Sequence, residues 1–372
     1  MKVALVAHPA WFDAEAATLR HLAVGLVAHQ VRVINVIPES NLNPELDMTG
    51  DVVAYRGRAP RTLSYFSKRY VVDQVRRLEP DLVHALDSPA RGMAEAISRA
   101  LGVPLVCSCW SRRSAHQLSR ARSRTTERIA ATGPLAHLAR RRFGRGSDVV
   151  TVRPGVYGFD ESMPAPLAEP DAALCALVIG PPAGQTPDPE ILYGLAQAKG
   201  QLGSVMLFIY ASTDVQRHYW QAARKLNLSD QVILVPRATG TMRLLMQCDV
   251  LIQPQATGQV RTMTLSAMAA GRPVLAATDP DLDFLIEDRT ARLVAEPTGR
   301  RWAALLNDLA SEPETYREMG RSAQRYVTEH HGMSNFVEGM VAVYRQAAPT
   351  PLPFDASGAE DGSGEGSTGD KD

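Results

Sequence analysis

Short apolar runs alternate with stretches in which apolar residues recur at helical spacing, and this pattern fills two blocks of the chain. Short apolar runs between turn residues are typical of buried strands, and a spacing of three and four residues is typical of helices. Strands that alternate with helices predict a parallel sheet covered on its faces by helices. In the first block we predict strands at 3–7, 31–36, 82–85, 105–108 and 149–152, and helices at 14–28, 65–78 and 90–101.

The second block repeats this pattern after a proline-containing segment, 161–172, which reads as a linker. We therefore predict an α/β chain with two Rossmann-like, doubly wound domains, 1–160 and 173–346, whose sheets face a common cleft. An acidic Gly/Ser tail, 347–372, is predicted to be disordered because it has almost nothing apolar to bury. The predicted strands of the second block are 173–179, 205–210, 232–235, 250–253, 274–276 and 291–294, followed by a helical run over 302–344 that breaks at His331-Gly332.

Composition narrows the class of protein. Forty basic and forty acidic residues cancel among the 372 residues, which argues against a nucleic-acid partner. No apolar run reaches the roughly 20 residues of a membrane span, and the amino-terminal run is too short for a signal peptide, so we predict a cytoplasmic protein. The four cysteines lie in or beside apolar runs and are predicted to be buried free thiols.

One segment, 112–145, departs from this even balance of charge. It reads either as a solvated face or as a surface for an anionic acceptor or a membrane, in which case the protein would be peripheral to the inner face of the membrane. Its basic residues are Arg112, Arg113, Arg120, Arg122, Arg124, Arg128, Arg140, Arg141, Arg142 and Arg145, against Glu127 alone.

The most informative segment, 249–277, reads DVLIQPQATGQVRTMTLSAMAAGRPVLAA. It predicts a buried strand, a loop, a helix that opens at Thr262 or Thr264, and a second buried strand. A loop and helix start of this kind present backbone N–H groups to an anion. The segment resembles the donor-sugar motif DVFVxPSxxEGFGxxxLEAMAxGxPVVAS of the retaining glycosyltransferases of family 4, in the GT-B group. Residues 80–88, 152–160 and 311–327 resemble further family segments in the expected order.

This resemblance implies a GT-B fold in which the last helix returns to the first domain. It also implies transfer of a hexosyl unit, with retention, from a nucleotide-sugar to an acceptor that the sequence does not identify. No cofactor is expected, and no metal site, since no Asp-x-Asp or His/Cys/acid cluster has ligand spacing. Oligomeric state stays open. The positions that match the nucleotide-sugar-binding motif are Gly258, Arg261, Thr262 and Ser266.

Several motif positions carry other residues, so we assign no catalytic residue. The two family glutamates are replaced by Gly258 and Ser266, and the histidine beside the donor is replaced by Trp110. The arginine and lysine that clamp the diphosphate fall near Pro181 and Thr186, which offer no positive charge. The amino-terminal GG turn becomes 13–14, Asp-Ala. A catalytically inactive GT-B protein that binds a ligand or a partner is therefore the alternative hypothesis.

Other candidates each have two readings. Arg261 could hold a diphosphate in place of the lost clamp, or be an exposed loop arginine. His8 follows the first strand on the cleft side and is either functional or structural. Trp110, with Trp11 and Phe12, could form a wall for a sugar ring or belong to the core. Thr262 and Thr264 are candidate helix N-caps.

Overall fold

The computed structural model describes residues 1–42, 49–56, 61–118, 125–143, 149–159, 167, 173–182, 184–198, 204–235 and 241–348. Most of the predicted linker and the tail from residue 349 lie outside these residues. The limits of the predicted domains fall at or beside undescribed residues and stay a prediction. The described residues form two parallel sheets interleaved with helices, which is the predicted α/β architecture.

The first sheet has seven strands in the order β3-β2-β1-β4-β5-β6-β7, and we call the part of the chain built on it the N-terminal lobe. Its strands are β1 (Lys2–Val6), β2 (Arg32–Pro38), β3 (Asp51–Tyr55), β4 (Leu82–Ala85), β5 (Leu105–Cys109), β6 (Thr125–Ala130) and β7 (Val149–Thr151). Its helices are α1 (Pro9–Ala28), α2 (Arg61–Arg77), α3 (Arg91–Leu101), α4 (Arg112–Leu118) and α5 (Gly133–Phe143).

The second sheet has six strands in the order β10-β9-β8-β11-β12-β13 and carries the C-terminal lobe. Its strands are β8 (Leu174–Ile179), β9 (Val205–Tyr210), β10 (Val232–Val235), β11 (Val250–Gln253), β12 (Val274–Ala277) and β13 (Arg292–Val294). Its helices are α6 (Glu190–Ala198), α7 (Thr213–Lys225), α8 (Thr241–Gln247), α9 (Thr262–Ala269), α10 (Gly299–Ser311) and α11 (Pro313–His330). The central strands of both sheets are buried because helices cover both faces.

A last helix, α12 (Met333–Ala347), returns to the N-terminal lobe and packs on α1, β5 and β6. Most of its apolar residues are buried, and its Tyr344 hydroxyl lies 2.7 Å from His84 Nδ1. The other ring nitrogen of His84 lies 2.7 Å from the Ser108 hydroxyl. His84 is therefore a buried strand residue that ties α12 to the first sheet, because both of its nitrogens find partners inside the protein.

Three elements differ from the sequence expectations. Strands β3 and β6 were not predicted: β3 has only a short apolar run after Asp51, and β6 begins with four polar residues. The run over 302–344 contains the expected break at His331-Gly332 and a second break between Ser311 and Pro313, where proline begins α11. All four cysteines are free, but Cys175 is only partly buried. Across the described part of the chain, no helix is long and apolar enough to cross a membrane.

Candidate functional site

A cavity of about 440 Å³ lies between the two lobes. It is lined by residues that follow β1, β4 and β5 in one lobe and β8 and β11 in the other, among them His8, Asp87, Trp110, Pro182 and Arg261. The order of each sheet reverses beside β1 and beside β8. Ligands of open α/β sheets bind outside the carboxyl ends of the strands at such reversals, so this cavity is the candidate site.

The loop that joins β11 to α9 forms one wall of the cavity, and its backbone is largely hydrogen-bonded within the protein. Five of the six amides from Thr257 to Thr262 donate to protein atoms. The amides of Thr257 and Gly258 donate to Asp279 at 3.0 and 2.7 Å. The Val260 amide donates to the Trp110 carbonyl at 2.8 Å, across the lobe boundary. An anion that needs these N–H groups must first displace their present acceptors.

Gly258 stands where the resemblance expects the first glutamate, and its backbone conformation favours glycine. Its φ of +59° lies in the left-handed region. A Cβ at this position would lie 2.8 Å from an Asp281 carboxylate oxygen and 3.1 Å from Arg112 Cβ. Its carbonyl accepts the Arg112 amide at 2.8 Å, beside an antiparallel bridge between Ser111 and Gln259. Gly258 thus serves the contact between the lobes, and a role toward a sugar stays a prediction.

Thr262 is the first residue of α9, and Arg261, not a threonine, is the N-cap. The predicted N-cap roles of Thr262 and Thr264 are therefore wrong. Thr264 instead donates its hydroxyl to Gln253 at 3.1 Å. The Thr262 hydroxyl donates to the Glu15 carboxylate, and its amide donates to the same carboxylate at 3.4 Å. An acidic side chain of α1 thus caps a helix of the opposite lobe.

Glu15 is only 1 % exposed. Burial raises its pKa to about 7, while the hydrogen bonds from Thr262 and the positive charge of Arg261 partly oppose this rise. The sequence analysis overlooked Glu15, although a signal existed. In α1 it lies four residues before Leu19 and seven before Leu22, on the stripe that faces the core. A carboxylate on an apolar stripe indicates a buried partner.

Arg261 lines the cavity and is only 3 % exposed, so the reading of an exposed loop arginine is wrong. Arg113, from α4 of the other lobe, also lines the cavity and is exposed. Two arginines therefore line the cavity from opposite lobes. Guanidinium groups bind phosphate oxygens through paired N–H donors, so the cavity wall suits an anion that spans both lobes.

Trp110 follows β5 and is 4 % exposed. Its ring packs edge to face on Trp11, with centroids 5.6 Å apart, and on Phe336 of α12, with centroids 6.3 Å apart. Both indoles border the cavity, but little of either ring is exposed. Of the two readings, the structure favours aromatic core, because a stacking surface for a sugar needs an open ring face.

His8 caps α1, since its Nδ1 accepts the Ala10 amide at 3.3 Å. Burial lowers its pKa, and Asp13 opposes this effect. The neighbouring Asp87 accepts the Ala90 amide at 3.0 Å and a backbone hydrogen bond from His8. Burial raises the pKa of Asp87 to about 7. His8 and Asp87 thus hold together the ends of β1 and β4 at the cavity, which is a structural role.

Ser266 stands where the resemblance expects the second glutamate. It is 8 % exposed and lies one turn after Thr262 on α9. Residues four apart share a face of a helix, so Ser266 and Thr262 lie on the same side of α9. The Ser266 side chain is shorter than glutamate by two bonds, and its place beside a ribose stays a prediction.

Two arginines of the basic segment 112–145 make hydrogen bonds within the protein. Arg112 forms a paired hydrogen bond with Asp281 of the opposite lobe, at 2.6 and 3.0 Å, and Arg140 donates to the Val149 carbonyl. Residues 119–124 and 144–148, and the Arg142 side chain, lie outside the described residues. An anionic or membrane-surface acceptor therefore stays a prediction.

Further hydrogen bonds join the lobes near this ion pair. The Thr132 hydroxyl donates to the Asp281 carbonyl at 2.8 Å, and the Gly133 amide donates to Asp283 at 3.1 Å. Arg153 contacts the same Asp283 carboxylate at 3.2 Å. The sequence analysis did not single out these aspartates. Within the ranges that the structure describes, no group of three His, Cys, Asp or Glu side chains could hold a metal ion.

Comparison with protein-family models gives two matches. The model described as glycosyl transferase 4-like domain matches residues 15–153. The model described as glycosyl transferases group 1 matches residues 191–312. The matches fall in the two lobes in chain order and together span most of the chain. No curated protein matches the sequence significantly.

Several solved structures share the fold. HepE of Anabaena, in complex with UDP and glucose, superposes with a TM-score of 0.75 at 15% identity, over 92% of this chain and 99% of that chain. Sucrose-phosphate synthase of Thermosynechococcus elongatus gives 0.71 at 15% identity, over 93% and 98% of the two chains. The lipopolysaccharide outer core galactosyltransferase WaaB gives 0.65 at 15% identity, over 93% and 100%. At such low identity, these similarities establish the fold.

Proposed function

Because this chain belongs to the group 1 glycosyltransferases of the GT-B fold, we propose that it transfers a hexosyl unit from a nucleotide-sugar to an acceptor in the cavity between its lobes. The complexes of HepE with UDP and glucose, and with UDP-glucose, favour a uridine diphosphate sugar as the donor. Retention of the anomeric configuration is part of this proposal and rests on the family resemblance.

The observation that carries the proposal is the pair of arginines, Arg261 and Arg113, that line the cavity from opposite lobes. A nucleotide-sugar presents a diphosphate, and the leaving nucleoside diphosphate gains negative charge as its bond to the sugar breaks. Positive groups held in place around that charge stabilise the transition state, because they need no reorganisation when it forms. Arg261 and Arg113 thus take the part of the missing Arg/Lys clamp.

The experiment is a calorimetric titration with UDP-, GDP- and ADP-glucose, coupled to a measurement of released nucleoside diphosphate. Arg261→Ala and Arg113→Ala should each weaken nucleotide-sugar binding about tenfold or more, since a hydrogen bond to a charged group contributes about 1.5–3 kcal/mol. Arg141→Ala is the matched control, because Arg141 is exposed and lies in the same basic segment outside the cavity. Equal loss in all three variants would leave the two cavity arginines without a special role.

A second candidate function follows from the loop between β11 and α9. Its amides are engaged by Asp279, Trp110 and Glu15, and glutamates are missing at positions 258 and 266. These features favour a catalytically inactive GT-B protein that binds a ligand or a partner. Binding of a nucleotide-sugar without release of nucleoside diphosphate would favour this candidate over the transferase.

A further inference from the structure

The N-terminus of α9 already holds a carboxylate. Glu15 Oε1 accepts the Thr262 amide at 3.4 Å, and its other oxygen accepts the Thr262 hydroxyl. The Thr18 hydroxyl donates to the Thr262 hydroxyl at 2.9 Å and lies 3.3 Å from Glu15. These contacts join α1 of the N-terminal lobe to α9 of the C-terminal lobe.

Helix α1 is interrupted where it makes this contact. Glu15 has a φ of −129° and a ψ of 22°, outside the helical range, between helical segments on either side. The resemblance expects a glycine-containing turn at 13–14, where backbone approaches the ligand. In this chain the same stretch is helical and is followed by Glu15, whose carboxylate contacts Thr262 of α9.

The Glu15 carboxylate places a negative charge at the N-terminus of α9, as a phosphate group would. The N-terminus of a helix carries a partial positive charge and unpaired N–H groups, so it favours an anion. Arg261, which precedes α9, adds a full positive charge that acts on Glu15. The N-cap residue itself provides no side-chain hydrogen bond, so Glu15 supplies the cap in its place. Two anions at this helix end would repel each other.

We propose that Glu15 is an internal competitor for the diphosphate of the donor: it occupies the N-terminus of α9 when the cavity is empty and must leave before a diphosphate can bind there. This inference rests on the proposed function. The contact between α1 and α9 opens when an anion binds, and the cost of opening this contact lowers the affinity of the site for anionic ligands.

The environment of Glu15 makes such a displacement feasible. Burial raises its pKa to about 7, which means that the ionised carboxylate is poorly solvated where it lies. Moving it into solvent restores its hydration and offsets part of the lost hydrogen bonding.

The test measures binding of two probes, inorganic diphosphate and UDP-glucose, by calorimetry at pH 8. The variants are Glu15→Gln, which removes the charge, and Glu15→Ala, which vacates the helix end. Glu79→Gln is the control, since Glu79 is an exposed glutamate of the same lobe, just before β4 and away from the cavity. We expect both Glu15 variants to bind inorganic diphosphate at least about tenfold more tightly than wild type, a difference of about 1.4 kcal/mol. The control should bind as wild type does.

The two probes separate this inference from the proposed function. If inorganic diphosphate binds more tightly to the Glu15 variants while no variant binds UDP-glucose, the competitor role stands and the proposed donor is wrong. If UDP-glucose binds equally to wild type and to both Glu15 variants, the donor proposal stands and the competitor role is overturned. Absence of binding by either probe to every variant overturns both.

Discussion

Replacing Glu15 with glutamine should stabilise the protein at alkaline pH and have little effect at acidic pH. In the folded protein the pKa of Glu15 is raised from its usual 4.5 to about 7 by burial. The unfolded chain releases this proton at a lower pH than the folded one does, so folding opposes ionisation. The stability that the neutral carboxyl contributes is present below pH 4.5 and is lost as the pH rises through about 7.

The magnitude follows from the interval between these two pKa values. At about 1.4 kcal/mol for each pKa unit, the interval from 4.5 to about 7 corresponds to about 3 kcal/mol at pH 8. Glutamine keeps an oxygen that can accept from Thr262 but never ionises. The free energy of unfolding of Glu15→Gln should therefore exceed that of wild type by up to about 3 kcal/mol at pH 8 and nearly equal it at pH 4.

Urea unfolding followed by tryptophan fluorescence at pH 4, 6 and 8 measures this difference. Glu79→Gln removes one exposed negative charge from the same lobe and serves as the control, with no pH-dependent gain expected. A gain of equal size at pH 4 and pH 8 would show that packing, not ionisation, distinguishes the variant. A loss of stability that grows with pH would refute the buried, raised-pKa description of Glu15.

Two further predictions concern the missing motif glutamates. Gly258→Ala should destabilise the protein by more than Gly271→Ala. Both glycines have positive φ, which costs about 1–2 kcal/mol for any other residue. Only at 258 would the added Cβ clash, because it would lie 2.8 Å from Asp281, whereas the nearest contact at 271 is 3.6 Å. If both variants lose the same free energy of unfolding in urea, the clash with Asp281 does not contribute. Ser266→Glu should strengthen nucleotide binding only in a Glu15→Gln background. With Glu15 present, the new carboxylate on the Thr262 face of α9 adds to the negative charge of Glu15, and the two together repel the diphosphate. Equal calorimetric affinities of Ser266→Glu in both backgrounds would contradict this coupling.

The local pattern of apolar residues was sufficient to predict most strands and helices of the fold. The predicted strands at 3–7, 82–85 and 250–253 match β1, β4 and β11 to within a residue. Such strands are buried on both faces, so their apolar runs are continuous and easily read. The segment that contains α9 was legible for the same reason, since β11 and β12 flank it as two buried strands. Strand β6 was missed because it begins with four polar residues, and β3 was missed because its apolar run is short.

The chemistry of the site depended on contacts between residues far apart in sequence. Arg261 read equally well as a surface residue or as a ligand, and only the packing of the two lobes decided that it is buried at the cavity. The glycine at 258 read as a lost glutamate, but in the structure it accepts a hydrogen bond from Arg112 in a conformation that other side chains rarely adopt.

The sequence by itself determined the two α/β sheets and the family, because periodic burial and turn residues act over a few positions at a time. The tertiary structure alone decided which residues meet beside the cavity. Glu15 and Thr262 are 247 residues apart, and they meet because the two lobes pack together, as Asp281 does with Arg112 and Thr132. The ionisation of a carboxylate at a helix N-terminus depends on its burial, on the helix dipole and on neighbouring charges, and none of these is a property of the local sequence.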